Sequence, residues 1–338
     1  MTIETQSSAD AFPAYVQARR TEIDAALRAW LPQPPACPPI VAEAIRYSID
    51  AGGKRLRPIL ALAAAEAVAL LPDNVADAAR SPDEARRLAL PSGCAIEFIH
   101  TYSLIHDDLP AMDDDTMRRG RPTLHVVYGA GIAILAGDAL QADAFALLAR
   151  EPASQGVAPG GRAPLADLQA RKLRVIERVG LAAGAMGMVG GQAIDLESAG
   201  TTDIPGRPRP TLTADGLRAM HAMKTGALIR AAAVSGAIMA GGSDSQVDAV
   251  DRFAADLGLA FQIVDDILDV EGAVDALGKT VGKDAAANKP TYPALFGLEA
   301  SRRLAADAAA RAETALAETG LAGSRLLDIA NWVVKRRS

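Results

Sequence analysis

Aromatic residues make up only 4% of this sequence, and cysteines number two, Cys37 and Cys94. The pair has no metal-ligand spacing and gives no disulfide framework, so a reducing compartment such as the cytoplasm is the expectation. Basic residues are outnumbered, 35 against 41 acidic ones for a net charge of −6, which argues against a polyanionic partner such as nucleic acid. Long uncharged runs are scarce as well. The stretches around 122–137 and 231–242 fall short of a ~20-residue span or are broken by glycine, so no membrane partner is expected. The opening MTIETQSSADAF is polar, carries acids and lacks an apolar centre, so it does not read as a signal peptide.

What remains is half hydrophobic and rich in alanine and leucine, which predicts an all-α protein. No domain boundary or short-period repeat stands out, so residues 1–338 read as one large helical bundle. Residues 1–12 are expected to fray. An amphipathic helix follows over Ala14 to Trp30, stopped by LPQPPACPP, and a second covers 40–50. In AGGKRLRP, Gly52 and Gly53 end that helix, Pro58 opens a third, and Lys54 and Arg57 stand one helical turn apart. Such a pair makes an anion clamp or, more blandly, a solvated face. Polar stretches at 73–88, 151–164 and 200–212 are expected to be surface inserts.

The chain is organised around EFIHTYSLIHDDLPAMDDDTMRRGRPTLH, residues 97–125. Apolar residues before it suit a buried helix, and Pro110 should end that helix near Asp108. Asp107 and Asp108 then sit at a helix C-terminus, where the macrodipole disfavours negative charge by ~0.3–1 kcal/mol each. Cations should offset that cost. Asp113, Asp114 and Asp115 add further hard oxygen ligands, and Arg118, Arg119 and Arg121 follow at once, a set suited to Mg²⁺ shared with a phosphate group. A solvated acidic turn is the bland alternative.

A second centre lies in FAADLGLAFQIVDDILDVEG, residues 253–272. At ~100° per residue, Gln262, Asp265, Asp266 and Asp269 share a narrow arc opposite Phe253, Leu257, Phe261, Val264 and Leu268. Gly272 is expected to end this helix, and Lys279, Lys283 and Lys289 follow in a Gly-containing loop suited to phosphates. Between the two centres, Gln192 and Asp195 share a face. Lys224 and Thr225 interrupt an apolar helix whose N-cap candidate is Thr213. A buried lysine needs a partner unless it snorkels. Two acidic helix ends, each followed by cations, suit a diphosphate head, and apolar helix walls below them would suit a hydrocarbon tail.

These motifs identify the chain as resembling the trans-prenyltransferases (polyprenyl synthases), most of all the bacterial farnesyl diphosphate synthases. GGKRLRP, DDLPAMDDD with RRG, GQAIDL, KTG and FQIVDD followed by Asp269 occur in that family's order. The resemblance implies the isoprenoid synthase fold and a Mg²⁺-dependent condensation of isopentenyl diphosphate with dimethylallyl and geranyl diphosphates, giving farnesyl diphosphate. It implies about three Mg²⁺ per site, with Asp107, Asp108, Asp113, Asp265, Asp266 and Asp269 as the ligand set. Arg118, Lys224 and Lys279 would contact the allylic diphosphate; Lys54, Arg57, His100 and Arg119 would bind isopentenyl diphosphate, and Lys289 is a further substrate-binding residue. Thr225 and Gln262 would lie near the developing allylic cation. His106, His125 and His221 are expected to be structural. Tyr102, five residues before Asp107 and flanked by the small Ser103, would set product length as a floor. A geranylgeranyl synthase is the alternative of the same class, and a non-catalytic partner subunit that of another. A homodimer is the implied assembly.

Overall fold

The computed structural model describes residues 4–71, 81–152, 165–200, 210–275 and 291–336. Apart from one two-stranded hairpin, the described elements are helical, as alanine and leucine content predicts. The chain forms two compact units. One comprises Met1–Glu177 with Ser235–Gly242; the other comprises Arg178–Val234 with Ser243–Ser338.

The first unit holds α1 (Glu4–Trp30), α2 (Pro39–Ile49), α3 (Leu56–Ala69), α4 (Pro82–Asp107), α5 (Leu124–Tyr128) and α6 (Ala130–Arg150). Strands β1 (Met117–Arg118) and β2 (Arg121–Pro122) pair between α4 and α5. The central helix α4 packs against α3 on one side and α6 on another. Alanines make this possible. The α3 run Ala61–Ala65 is fully buried, and Ile96, Phe98 and Ile99 of α4 are equally dry. Small side chains let helix axes approach closely, and large ones fill what remains.

Two boundaries in this unit differ from expectation. α1 starts at Glu4 rather than Ala14 and carries Pro13 inside it, so residues 4–12 do not fray. α4 starts at Pro82, so 82–88 are its first turns and not part of a polar insert. Ser81 accepts a bond from the Glu84 N–H, Pro82 occupies a position where no donor is missed, and Asp83 and Glu84 suit the N-terminal dipole. α4 does end at Asp107, one residue from the expected stop.

Helix α3 begins from Arg55, a non-glycine residue held in the left-handed region at φ 51°. That conformation is unfavourable for an L-residue and persists where surroundings over-determine it. Here Arg55 donates to Asp24 Oδ1 at 2.8 Å, to Glu97 Oε1 at 2.9 Å and to the Ile49 carbonyl at 2.7 Å. Burial disfavours its charge, but Glu97 and Asp24 more than offset that and keep its pKa raised.

Helix α7 (Leu165–Ala183) and α10 (Ala227–Met239) contribute residues to both units. The second unit also holds α8 (Met188–Ala199), α9 (Ala214–His221), a π-helical turn (Ala222–Gly226), α11 (Asp244–Asp275), α12 (Tyr292–Phe296), α13 (Leu298–Ala317) and α14 (Arg325–Lys335). Thr213 caps α9 as expected, accepting from the Gly216 N–H. The long α11 packs against α13, and Leu217, Met220, Ile263, Val264, Ile267, Tyr292 and Ala305 form one core cluster. α11 runs through Gly272 to Asp275, so Asp265 lies inside the helix and not at its end. A helical glycine costs only ~1 kcal/mol against alanine, which long helix packing can absorb.

By length and composition, Ala130–Arg150 and Asp167–Ala199 are apolar enough to cross a membrane, and 39% of the relevant window is buried in each. On α5 and α6, Val126, Val127, Ile134 and Leu135 stay exposed.

The Arg55 network generates a stability prediction. Both Arg55 and Glu97 side chains are 4% exposed, so removing one partner strands the other charge. Glu97→Ala should lower unfolding free energy by about 3–5 kcal/mol in urea melts. A loss below ~1 kcal/mol would show that the pair does not anchor the turn.

Candidate active site

In the first unit the site begins where α4 stops. The loop after it folds back on the helix end: the Asp113 N–H donates to the Asp107 carbonyl at 2.9 Å, and the Asp115 N–H to the Asp108 carbonyl at 3.2 Å. Asp114 takes a left-handed conformation, φ 49°, to allow the reversal. Asp107 and Asp113 are thereby neighbours in space and remain half-buried. Asp108 is buried, and Arg118 Nε donates to both its oxygens at 2.8 and 3.0 Å. Burial pushes the Asp108 carboxyl upward, and Arg118 offsets this only in part. A further cation beside Asp108 would therefore be favourable.

Arg118 is placed by the hairpin. Arg119 and Gly120 both have positive φ, 52° and 74°, which is the primed turn that matches strand twist. The same turn brings the Arg119 guanidinium onto the Gly52 carbonyl. Gly53 has to be glycine for this approach. Its φ is +145°, and a Cβ there would meet Arg119 Nη1 at 2.6 Å. The Gly52-Gly53 turn and the hairpin thus meet around His100. Burial, then Arg57, Arg119, Arg118 and Arg55, hold the His100 pKa well below its ordinary value, so the ring is neutral at pH 7. A neutral imidazole beside this many guanidinium groups suits an anion with several oxygens. His100, Arg118 and Arg119 line one pocket together with Tyr47, Thr101 and Asp108. Lys54 is exposed on the same turn.

One and a half turns before Asp107, Tyr102 is 5% exposed with its hydroxyl unpartnered, and burial pushes its pKa up to about 12. Its ring meets His106 edge-on at 5.6 Å, and His106 Nε2 lies 3.1 Å from the Ile134 carbonyl. Ser103 is half-buried and donates to the His100 carbonyl at 2.9 Å.

In the second unit the π-turn Ala222–Gly226 carries Lys224 and Thr225. Extra backbone in one turn re-aims side chains, and such turns concentrate at functional sites. Gly191 of α8 lets the turn come close, since a Cβ there would lie 2.2 Å from the Lys224 nitrogen. Lys224 Nζ then reaches Asp195 Oδ2 at 2.5 Å, with side chains 25% and 6% exposed. The lysine has its partner and does not snorkel. Gln192, on the same face as Asp195, keeps both side-chain polar atoms buried without a hydrogen bond.

A polar relay runs from the same turn. Thr225 Oγ1 donates to Gln262 Oε1 at 2.9 Å, Gln262 Nε2 donates to Asp266 Oδ1 at 2.9 Å, and the Tyr292 N–H donates to Asp266 Oδ2 at 3.0 Å. The carboxylate can only accept, which fixes the amide orientation and leaves the Thr225 oxygen lone pairs outward. Asp266, 3% exposed, is therefore a brace for Gln262 and not the open metal ligand expected of it. The four polar residues of the arc split, with Asp265 and Asp269 half-buried and Asp266 turned into the core. Asp265 Oδ1 is 2.6 Å from Arg336 Nη2. His221 is buried with its pKa lowered by burial to about 4, and it packs 5.7 Å from Tyr292, a structural place as expected.

Lys279 and Lys289 lie outside the described residues. Among the described residues, no three His, Cys, Asp or Glu side chains are gathered into a ready metal cage. The donor chemistry still fits Mg²⁺, which keeps its own waters and takes one or two carboxylates plus substrate phosphates. The under-compensated Asp108 and the cation already standing at Asp265 are the observations in favour. Arg55, Arg336, the hairpin and the π-turn are absent from the sequence expectations. Gly120 and the KTG break inside an apolar helix were the available signals.

Comparison with known proteins gives a family profile described as Polyprenyl synthetase, which matches residues 38–319. The chain is 42% identical over 299 residues to a farnesyl diphosphate synthase of Geobacillus stearothermophilus, covering 88% of this chain and 89% of that one. It is 39% identical over 324 residues to a geranylgeranyl diphosphate synthase of Cyanophora paradoxa, covering 96% of each. Among solved structures, an FPP/GFPP synthase from Zymomonas mobilis superimposes with a TM-score of 0.73 at 33% identity, over 97% of this chain and 98% of that one.

Proposed function

We propose, since the chain belongs to the polyprenyl synthetase family, that it condenses isopentenyl diphosphate with dimethylallyl and then geranyl diphosphate to give farnesyl diphosphate. The observation that carries this reading is the pocket in which His100, Arg118 and Arg119 stand together, beside the folded-back acidic loop of Asp107, Asp108 and Asp113. Asp107, Asp108 and Asp113 would be Mg²⁺ donors in the first unit, and Asp265 and Asp269 would be donors in the second. Bound Mg²⁺ would take up charge on the departing diphosphate of the allylic substrate.

The chain's own groups do the rest. Lys54, Arg57, Arg119 and His100 hold isopentenyl diphosphate, with His100 able to donate one ring N–H and remain uncharged. Arg118 and Lys224 contact the allylic diphosphate, each kept in position by a carboxylate, Asp108 and Asp195. Thr225, oriented by Gln262 and Asp266, presents oxygen lone pairs to the developing allylic cation. The isopentenyl double bond attacks that cation, and the proton then lost goes to the departed diphosphate. Tyr102 forms the floor that stops the growing chain at fifteen carbons.

The relatives include synthases of both fifteen- and twenty-carbon products, so the floor carries the name. Product chromatography with isopentenyl diphosphate and each allylic starter tests it. Wild type should stop at farnesyl diphosphate, and EDTA should abolish turnover. Tyr102→Ala should extend the product by at least one unit. Burying a CH₂ is worth roughly 0.8 kcal/mol, so a five-carbon unit gains a few kcal/mol and shifts the product ratio beyond about tenfold. Mostly twenty-carbon product from the wild type would favour a geranylgeranyl synthase instead.

The assembly in this reading is a cytoplasmic homodimer. Exposed Val126, Val127, Ile134 and Leu135 form an apolar strip on α5 and α6 that a second copy would cover. Sedimentation should find a dimer and Leu135→Glu should shift it toward monomer; a monomeric wild type would contradict this.

A further inference from the structure

In the second unit the last helix delivers a cation to the second acidic stripe. Arg336, the C-cap residue of α14, places Nη2 2.6 Å from Asp265 Oδ1. The same nitrogen donates to the Phe261 carbonyl at 2.8 Å, and the guanidinium carbon stands 3.9 Å from the centroid of the Phe261 ring. The Arg336 side chain is only 4% exposed, whereas Asp265 remains 43% exposed.

An ordinary surface pair would leave the arginine in water and would be screened by salt. Here a carboxylate, a carbonyl and an aromatic face replace part of the guanidinium's hydration, while its Nε stays buried without a hydrogen bond, so the seat holds the cation at a cost. Phe261 and Asp265 are four residues apart on α11, so they lie on one helix face, not on opposite sides as expected from the sequence, and offer a single seat. Solvent reaches the Asp265 side chain, and another cation can approach the carboxylate with it. A divalent ion arriving at the same carboxylate would meet a positive charge already on Oδ1, and two cations on one oxygen repel.

We infer that Arg336 is a built-in cation seated at Asp265, which metal has to displace, so that the C-terminal end of α14 and the metal compete for one carboxylate. This rests on the proposed reading of Asp265 as a Mg²⁺ donor. Displacement would free the end of α14 from the Phe261 face at the moment the metal–diphosphate is captured. Arg336 is in this sense a positioning residue, acting through Asp265.

Mn²⁺ uptake by the full chain in the presence of inorganic pyrophosphate, followed by the electron paramagnetic resonance signal of free Mn²⁺, tests the competition. Arg336→Gln should tighten Mn²⁺ binding roughly tenfold, within the usual range for coupling between two ligands. Arg336→Lys, which keeps the charge, should stay near wild type, and in an Asp265→Asn background the Gln substitution should have no effect. On wild type alone, adding Mn²⁺ and pyrophosphate should speed tryptic cleavage after Arg336, a readout that does not require any variant to fold. Equal Mn²⁺ affinities, no uptake by either protein, a gain that survives without Asp265, or unchanged cleavage would each overturn the inference. Failure of the functional reading shows separately, as wild type that forms no condensation product from isopentenyl diphosphate and an allylic starter.

Discussion

A carboxylate drawn toward the protein interior needs a cation, and three of the candidate site's acids have one: the buried Asp108 with Arg118 and Asp195 with Lys224, and the partly exposed Asp265 with Arg336. Each pair joins a helix to a different piece of chain. Arg118 comes from the hairpin, Lys224 from the π-turn and Arg336 from the end of α14. The pairs therefore fix where these less regular segments sit. They also set a fixed cation beside each carboxylate, an arrangement that the proposed diphosphate and its metal ions would recruit.

The surrounding helices make the pairs affordable. α3 and α4 are built from alanine and mid-sized aliphatics, so their axes come close and leave little room for water. Glycine serves the same end at two contacts, Gly53 under Arg119 and Gly191 under Lys224. Arg55 adds a buried, hydrogen-bonded anchor, tying α1, α2 and α4 to the turn before α3. The Thr225–Gln262–Asp266–Tyr292 relay does in the second unit what Arg55 does in the first: a buried, braced charge, here Asp266, fixes the orientation of the groups in front of it.

Much of this was legible in the sequence. The all-helical class follows from composition, Pro110 places the end of α4, and Thr213 announces the cap of α9. The spacing of Asp107 and Asp113 suggests one ligand set, and the folded-back loop supplies the reason. What escaped was decided by tertiary contacts. Asp266 shares an arc with Asp265 on an ideal helix, but the N-terminus of α12 offers a backbone N–H that draws it inward. The polar residues 82–88 look like a connection because charge dominates them, yet Ser81 and Pro82 already start a helix. Nothing local in the sequence could say that Arg336 returns to a residue 71 positions earlier.

In the first unit His100 stands among arginines that hold its pKa down, and the proposed function has this cluster bind isopentenyl diphosphate. Nitrogen-15 imidazole spectra of the four histidines, followed from pH 8 to pH 5 with and without isopentenyl diphosphate, test it most directly. Without ligand, His100 should remain neutral through its ordinary titration range, because burial and the neighbouring guanidinium groups hold its pKa down. With ligand, the added negative charge should move that pKa upward and shift the His100 signals, while buried His221 should not respond. A His100 already protonated at pH 7, or one indifferent to isopentenyl diphosphate, would contradict the account.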